Sequence, residues 1–269
     1  MKTRADVARM IADVQMEGTP AQLRAQFLEL SDALATGAPA SIGGVPCHVH
    51  NPQAADTLVY LHGGGYVFGS PLSHGRSMLA LARVLNWRIV VPDYRLAPEH
   101  RWPAQLTDAL AVVDALDGTL ALAGDSAGGH LAINAALARP GRMSRLALIG
   151  PNTDRSGQSG TRARVSDPMN DGKMDAALAA LCFGDLAQDD PQVSPLLADL
   201  RGLPPLFLTA AVNEVLLDDT LLFGAAAARA GVPVEISIVP PLFHMWTLWP
   251  DALVQARQSL RRIARFIDA

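Results

Sequence analysis

Short apolar runs alternate with helix-forming stretches along most of this chain, and that alternation is the strongest constraint on its fold. The apolar runs are Thr57–Leu61, Arg88–Val91, Thr119–Ala123, Arg145–Ile149, Leu206–Ala210 and Val234–Val239. Continuous apolar strands of this kind are typical of a parallel sheet buried on both faces. The helical stretches lie near 73–85, 104–116, 127–138, 218–230 and 251–267. The pattern predicts an α/β domain with a central, mostly parallel sheet flanked by helices and right-handed crossovers.

Two segments break this alternation. Residues 3–36 have the pattern of two polar, amphipathic helices. Residues 152–195 insert more than forty residues between two strands, and the stretch Asp175–Phe183 within them is helical in character. An unstructured connection of that length is uncommon inside a compact domain. We therefore expect a single domain over 1–269, with a helical cap formed by about 1–40 and 152–195.

The composition excludes several classes of protein. Of the 269 residues, 49% are hydrophobic and 18% charged, which is typical of a folded chain with a large core. A net charge of −4 without long basic runs argues against nucleic acid and anionic membrane surfaces as partners. The start Met1–Asp6 has no apolar signal-peptide region, and no run resembles a membrane span. Cys47 and Cys182 are too few for a disulfide framework, so we expect a cytoplasmic, soluble protein with reduced cysteines.

The pentapeptide Gly124–Gly128 (Gly-Asp-Ser-Ala-Gly) lies between the apolar run that ends at Ala123 and a helix-forming stretch. A Gly-x-Ser-x-Gly sequence between a strand and a helix is typical of a nucleophile elbow, in which the serine occupies a strained turn and the glycines avoid side-chain clashes. Ser126 is therefore the candidate nucleophile.

A second glycine-rich segment, His62–Gly65, follows directly after a predicted strand. Its backbone N–H groups are unshielded by side chains and can stabilise the negative oxygen of a tetrahedral intermediate. We expect Gly63 and Gly64 to donate to that oxygen together with Ala127, the residue after the nucleophile. His62 is interpreted as a structural anchor for this loop.

A serine nucleophile needs a base with a pKa near neutrality, which points to a histidine. His244 lies in the loop directly after the last predicted strand, the position expected for the base in a fold whose order is serine, acid, histidine. His48 and His50 alternate on a predicted strand and are interpreted as solvent-facing. His130 follows the elbow on its own helix and is expected to point away from the serine hydroxyl.

The acid that orients the base is expected at the end of the strand between Ser126 and His244. Glu214 lies in the turn just past Leu206–Ala210, and we take it as the acid. Asp218 and Asp219 also follow this strand. They are interpreted instead as capping the next helix and interacting with its dipole.

With these pieces in place, the chain resembles the bacterial hormone-sensitive-lipase-like esterases of the α/β-hydrolase superfamily over roughly residues 45–265. The matching motifs are His62–Gly65, Asp93–His100, Pro103-Ala104 and Gly124–Gly129. The resemblance implies an α/β-hydrolase fold with a cap and hydrolysis of short- to medium-chain carboxylic esters without metal or organic cofactor. It also implies a homodimer that pairs through the last strand and helix, and a structural role for Asp93–Glu99.

Two positions depart from the family pattern. Glu214 stands where many relatives have Asp, and His130 stands where many have Asn. The same machinery can also open lactones or cleave amides, and some proteins of this fold bind ligands without catalysis. A triglyceride lipase is disfavoured because the expected cap has no broad apolar stripe. Tyr66, Phe68 and Met245 are expected in the substrate pocket, where a small-molecule ester would bind.

Overall fold

Eight strands form the central sheet of the computed structural model, which describes residues 3–14 and 16–269. In chain order the strands are β1 (Ala38–Ile42), β2 (Val45–His50), β3 (Thr57–Leu61), β4 (Arg88–Pro92), β5 (Leu120–Asp125), β6 (Arg145–Ile149), β7 (Leu206–Ala211) and β8 (Val234–Val239). Their order across the sheet is β1-β2-β4-β3-β5-β6-β7-β8. Strands β3 to β8 are parallel, whereas β2 runs antiparallel to both β1 and β4. The predicted mostly parallel sheet is confirmed.

Helices flank this sheet. They are α1 (Arg4–Asp13), α2 (Pro20–Leu30), α3 (Gly75–Ala82), α4 (Ala104–Asp114), α5 (Ala127–Ala138), α6 (Thr161–Arg164), α7 (Gly172–Phe183), α8 (Leu217–Arg229) and α9 (Val254–Asp268). Helices α3 and α9 pack against each other, as do α4 and α5, and α8 packs against β7 and β8. None of the helices in the described part of the chain has the length and apolarity needed to span a membrane.

The surroundings of strand β2 differ from those that the sequence pattern predicts. The pattern gives no strand over Ala38–Ile42, yet this segment pairs with β2 as the first strand of the sheet. Because β2 lies between β1 and β4 and contacts helices on its faces, His50 is buried rather than solvent-facing, and its Nε2 is 3.3 Å from Thr36 Oγ1. His48 is half-buried, with Nδ1 at 2.9 Å from the Thr36 carbonyl oxygen.

The last strand, β8, is less buried than the sequence pattern predicts. It is an edge strand that pairs with β7 alone, and most of its residues are half-buried or exposed. Ile236 and Ile238 are each 39% exposed. The apolar run at Val234–Val239 therefore reflects the exposed edge of a sheet, a place where unpaired backbone groups can recruit another strand.

The two segments outside the alternation are largely helical, as the sequence indicates. Helix α2 begins at Pro20 after a capping box between Thr19 and Gln22, which satisfies the first free N–H groups. The insertion between β6 and β7 carries α6 and α7. The expected cap boundary of 1–40 needs a correction, because residues 38–40 belong to β1. Residues 1, 2 and 15 lie outside the described part of the chain.

Gly128 offers a direct test of the packing of α5 against the end of β3. A Cβ at Gly128 would overlap with the backbone carbonyl oxygen of Leu61, at the end of β3. Since the obstacle is backbone, Gly128→Ala is expected to lower the free energy of unfolding by about 1–3 kcal/mol. Gly160→Ala is the matched control, because a Cβ there meets only the end of the flexible Arg164 side chain. Equal thermal unfolding midpoints for the two variants would contradict this account.

Candidate active site

Ser126 occupies a strained turn between β5 and α5. Its φ of 54° and ψ of −121° lie outside the regions that non-glycine residues normally adopt. Its N–H donates to the Ile149 carbonyl oxygen at 3.0 Å, and its own carbonyl accepts from Asn152 N–H at 3.1 Å. These bonds to the chain after β6 hold the turn in place. The predicted strand–turn–helix context of Gly124–Gly128 is confirmed.

Asp125 lies directly before the serine. Its buried carboxylate binds the glycine-rich segment His62–Gly65, called the glycine loop below. Its Oδ1 accepts from Tyr60 Oη at 2.9 Å and from Gly63 N–H at 3.1 Å. Its Oδ2 is 3.2 Å from His74 Nε2. Burial alone would raise the pKa of Asp125, but the charge of His74 and the hydrogen bonds from His74 and Tyr60 bring it below the usual value. The sequence pattern gives no signal for this network.

The glycine loop approaches its neighbours too closely for side chains. A Cβ at Gly64 would overlap with the Phe68 carbonyl oxygen, and Gly64 and Gly65 have φ values of +119° and +58° that favour glycine. Gly64 and Gly65 line the cavity at Ser126. Gly63 differs from the expectation, because its N–H already donates to Asp125 and the residue does not line that cavity.

His62 anchors this loop from behind. Its ring stacks on Tyr94 with centroids 4.1 Å apart and planes 8° from parallel. The Tyr94 hydroxyl donates to the His62 carbonyl oxygen. Burial lowers the pKa of His62 to about 3, so the imidazole is neutral at physiological pH. The ring therefore has the place and charge state of a structural residue, as the sequence indicates.

His244 and Glu214 form a buried pair beside this turn. His244 Nδ1 lies 2.9 Å from Glu214 Oε1, and Glu214 Oε2 accepts from Ala211 N–H at 2.7 Å. The carboxylate is thus fixed by its own turn at the end of β7. Because Glu214 orients Nδ1, His244 presents Nε2, which has no hydrogen-bond partner within residues 3–14 and 16–269. His244 and Ser126 line the same cavity.

A close approach of backbone makes room for this pair. A Cβ at Gly150, after β6, would overlap with Glu214 Oε1 and lie 3.2 Å from His244 Cε1. The φ of Gly150 is +47°, which also favours glycine. Sequence reasoning missed Gly150, although its place directly after an apolar strand is a usable signal.

The two rival carboxylates face the insertion. Asp219 accepts from Thr153 N–H at 2.8 Å and forms an ion pair with Arg162 at 2.6 Å. Asp218 accepts from Thr161 N–H at 2.9 Å. Neither hydrogen-bonds to His244. They anchor the insertion to the start of α8, which is a different role from the expected helix capping.

The environment of His244 favours its protonated form. Burial opposes the charge on the imidazole, but the hydrogen bond and charge of Glu214, together with the charges of Asp167 and Asp125, raise the pKa of His244 above its ordinary value. The pair therefore suits a base that becomes an imidazolium during the reaction.

The cavity at Ser126 has a volume of about 120 Å³. Its apolar walls come from α1, α2 and α7, together with Val14 and Met16, and its polar wall comes from the insertion. Phe68 and Met245, two of the residues expected in the substrate pocket, line this cavity. Tyr66 does not. Among the described residues, no cluster of three or more His, Cys, Asp or Glu side chains is arranged to hold a metal ion.

Tyr66 instead belongs to a buried aromatic cluster behind the cavity. Its hydroxyl lies 2.6 Å from His130 Nδ1, and its ring packs edge-on against Phe183 of α7. Trp102 completes the cluster. Burial lowers the pKa of His130 to about 3, so its imidazole is neutral. The ring contacts Tyr66 and Phe183 and does not line the cavity at Ser126.

Known proteins are similar to this chain in fold and in sequence. A family model described as an alpha/beta hydrolase fold matches residues 58–248. An acetyl-hydrolase of Streptomyces hygroscopicus is 35% identical over 230 residues, which cover 80% of this chain and 76% of that protein. A carboxylesterase of Mycobacterium tuberculosis is 34% identical over 225 residues, covering 74% and 70% of the two chains.

Solved structures superpose over nearly the whole chain. An esterase from the bacterial hormone-sensitive lipase family matches with a TM-score of 0.90 and 30% identity, covering 99% of this chain and 98% of that chain. A hyperthermophilic esterase from the archaeon Pyrobaculum calidifontis matches with a TM-score of 0.89 and 27% identity, covering 98% and 96%.

The His244–Glu214 contact predicts a measurable change in the imidazole. Glu214→Gln removes the charge that favours protonation, so the pKa of His244 is expected to fall. Titration of the imidazole resonances by NMR measures it. Asp218→Asn removes a carboxylate that has no hydrogen bond to His244. This variant is expected to leave the pKa of His244 unchanged. A larger fall for Asp218→Asn than for Glu214→Gln would reverse the choice of acid.

Proposed function

The chain belongs to the bacterial hormone-sensitive-lipase family of the α/β-hydrolase fold and is a carboxylesterase, and on that premise we propose that Ser126, His244 and Glu214 form its catalytic triad. The observation that carries the proposal is a single cavity lined by Ser126 and His244, with Glu214 bonded to the imidazole Nδ1. The substrate is a small carboxylic ester.

The proposed reaction has two halves. In the first, Ser126 Oγ attacks the ester carbonyl carbon while His244 Nε2 takes the hydroxyl proton. The tetrahedral intermediate then collapses, the ester C–O bond breaks, and His244 returns the proton to the leaving alcohol. In the second half, His244 takes a proton from water, the resulting hydroxide attacks the acyl-enzyme, and the acid leaves as Ser126 regains its proton.

The proposed oxyanion donors are backbone N–H groups near Ser126 that make no other hydrogen bond. Gly64 and Ala127 N–H have no hydrogen-bond partner within the described residues, and Ala127 is the first residue of α5, where helix geometry leaves N–H groups unpaired. Gly63 N–H is bound to Asp125, so we propose that Gly63 holds the loop and Gly65 replaces it as a donor. Such preformed donors stabilise the developing negative oxygen.

We also propose that α1, α2 and the insertion act as the cap. Ile11, Phe27 and Leu30 from the first two helices line the cavity over Ser126, and Leu178 of α7 closes its other side. These walls are apolar, which suits the acyl chain of an ester. The apolar wall and the small polar site next to it are typical of a substrate pocket.

The cap side chains favour the short end of the expected short- to medium-chain range. Phe27, Leu30 and Leu178 line the cavity beside Ser126. We therefore propose a short acyl group, because a longer chain must displace these side chains.

A homodimer is a further part of the proposal. The exposed edge of β8 presents backbone hydrogen-bonding groups, with Ile236 and Ile238 beside them. A second copy that pairs edge to edge would continue the sheet and cover both isoleucines.

Removal of the proposed nucleophile tests the core of the mechanism. Ser126→Ala is expected to lower kcat for p-nitrophenyl acetate by about 10⁴–10⁶-fold, because no other group can form the acyl-enzyme. Mass spectrometry after incubation with a fluorophosphonate is expected to show one adduct on wild type and none on the variant. Retained hydrolysis by a purified, folded Ser126→Ala protein would refute the assignment.

A chain-length series tests the pocket. For p-nitrophenyl esters from acetate to octanoate, kcat/KM is expected to peak at acetate to butyrate. Leu178→Ala enlarges the cavity and is expected to move the peak to longer chains, whereas Leu181→Ala shortens a side chain on the same helix that does not line the cavity. The series runs beside a lactone and an anilide of the same acyl group. Preference for either would replace the ester assignment, and a peak at octanoate would exclude the size argument.

A further inference from the structure

The insertion contacts the proposed base directly, through Asp167. This residue precedes α7, is 5% exposed and lines the cavity at Ser126. Its Oδ2 accepts from the backbone N–H of His244 at 2.7 Å, and its Oδ1 accepts from Met169 N–H at 2.9 Å. The bond joins two segments that are 77 residues apart in the chain. It therefore ties the insertion to the loop that follows β8.

This bond is the backbone anchor of the histidine itself. Within the described residues, the N–H of His244 has Asp167 as its one hydrogen-bond partner. The loop is also held two residues earlier, where Leu242 N–H donates to Asn213 Oδ1 at 2.9 Å. The next residue, Met245, has a left-handed φ of 60°. A non-glycine residue keeps such a conformation only when its surroundings fix it, so the anchor bears on the placement of the imidazole.

The carboxylate of Asp167 also acts on His244 by its charge. Its negative charge raises the pKa of His244, in addition to the larger effect of Glu214. Burial raises the pKa of Asp167 to about 6, against the opposing effect of the His244 charge. Asp167 is therefore ionised at neutral pH and loses its charge in mildly acidic solution.

Other charged groups face His244 from the neighbouring elements. Asp125 at the end of β5 also raises the pKa of the imidazole. Asp175 of α7 lies near it as well, but its carboxylate is paired with Arg155 and Arg162, each at 2.6 Å. Asp167 differs from Asp175 because no Arg or Lys in the described part of the chain pairs with it. Its charge is therefore not offset by a cation.

We propose that Asp167 is a positioning residue for the reaction, which holds the His244 backbone from the insertion and favours the protonated imidazole by its charge. It touches no reacting atom and acts through His244. The inference rests on the proposed role of His244 as the base. Under this proposal the insertion has two roles. It lines the pocket, and it also places the proposed base through Asp167.

Two variants separate the hydrogen bond from the charge. Asp167→Ala removes both, so kcat is expected to fall by about 10–100-fold for p-nitrophenyl acetate and butyrate alike, with KM little changed. Asp167→Asn removes the charge but keeps one amide oxygen as an acceptor, so its loss in kcat is expected to be smaller. In both variants the acidic limb of the pH profile of kcat/KM is expected to move to lower pH, because His244 loses a neighbouring negative charge.

Asp171→Asn is the matched control. It removes a carboxylate from the same cavity wall while an asparagine still caps α7, and Asp171 has no bond to His244. The acidic limb of this variant is expected to stay in place. A shift in Asp171→Asn equal to that in Asp167→Asn would overturn the proposal, since the effect would then be general to the wall.

Two further outcomes would also overturn it. One is that Asp167→Ala changes neither kcat nor the acidic limb of the pH profile of kcat/KM. The other is a rise in KM for butyrate alone, which would mean a pocket role. NMR titration of His244 in each variant measures the Asp167–His244 coupling without turnover. An unmoved imidazole pKa in a folded variant would overturn the proposal even where activity is lost. A wild-type protein that is inactive on both esters would instead refute the proposed function.

Discussion

The site depends on a backbone conformation that the chain does not adopt on its own. Ser126 has a φ of 54° and a ψ of −121°, and a non-glycine residue held in such a region costs about 1–3 kcal/mol. The conformation persists because neighbouring elements fix it. The Ser126 N–H donates to Ile149 O, and the absence of a Cβ at Gly124 and Gly128 lets β3, β5 and α5 approach at backbone distance. The packing of the sheet and α5 around this turn therefore offsets the free-energy cost of the strained Ser126 backbone.

Buried carboxylates then connect the parts around that turn. A buried charge is costly unless it is paired or hydrogen-bonded, so each carboxylate identifies what it holds. Asp125 holds the glycine loop, Glu214 holds the imidazole, and Asp219 holds the start of the insertion. Asp167 is the carboxylate whose partners are two backbone N–H groups and no cation. Its contacts are the reason that it, rather than Asp175, is assigned an effect on the base.

Much of this architecture could be predicted from the sequence, because local patterns carry it. The apolar runs at Thr57–Leu61 and Arg145–Ile149 have the same bounds as the observed strands, and the helix after the elbow spans the predicted residues 127–138. The choice of Glu214 also followed from position, since a turn after a strand places its side chain at the carboxyl edge of a parallel sheet. The pairing of Glu214 with His244 agrees with that choice.

The remainder depended on contacts between distant segments, which periodicity does not encode. His50 is buried because β1 and β4 flank its strand, and β1 itself is an exposed segment with a weak apolar signal. Tyr66 looked like a pocket residue by its place after the glycine loop, but its ring turns toward the aromatic cluster. The N–H of Gly63 donates to Asp125, a contact between distant segments that led us to propose Gly65 in its place.

The same argument explains why the insertion matters to the base. The strand ends fix Ser126 and Glu214, because both residues lie within turns that start at β5 and β7. His244 lies farther along its loop, five residues past the end of β8, which is an edge strand with one neighbour. Such a loop gains little rigidity from the sheet. Asn213 and Asp167 supply it instead, one from the turn that carries the acid and one from the insertion. The order of the loop that carries the proposed base therefore depends on the two segments that also shape the proposed acid and the cavity at Ser126.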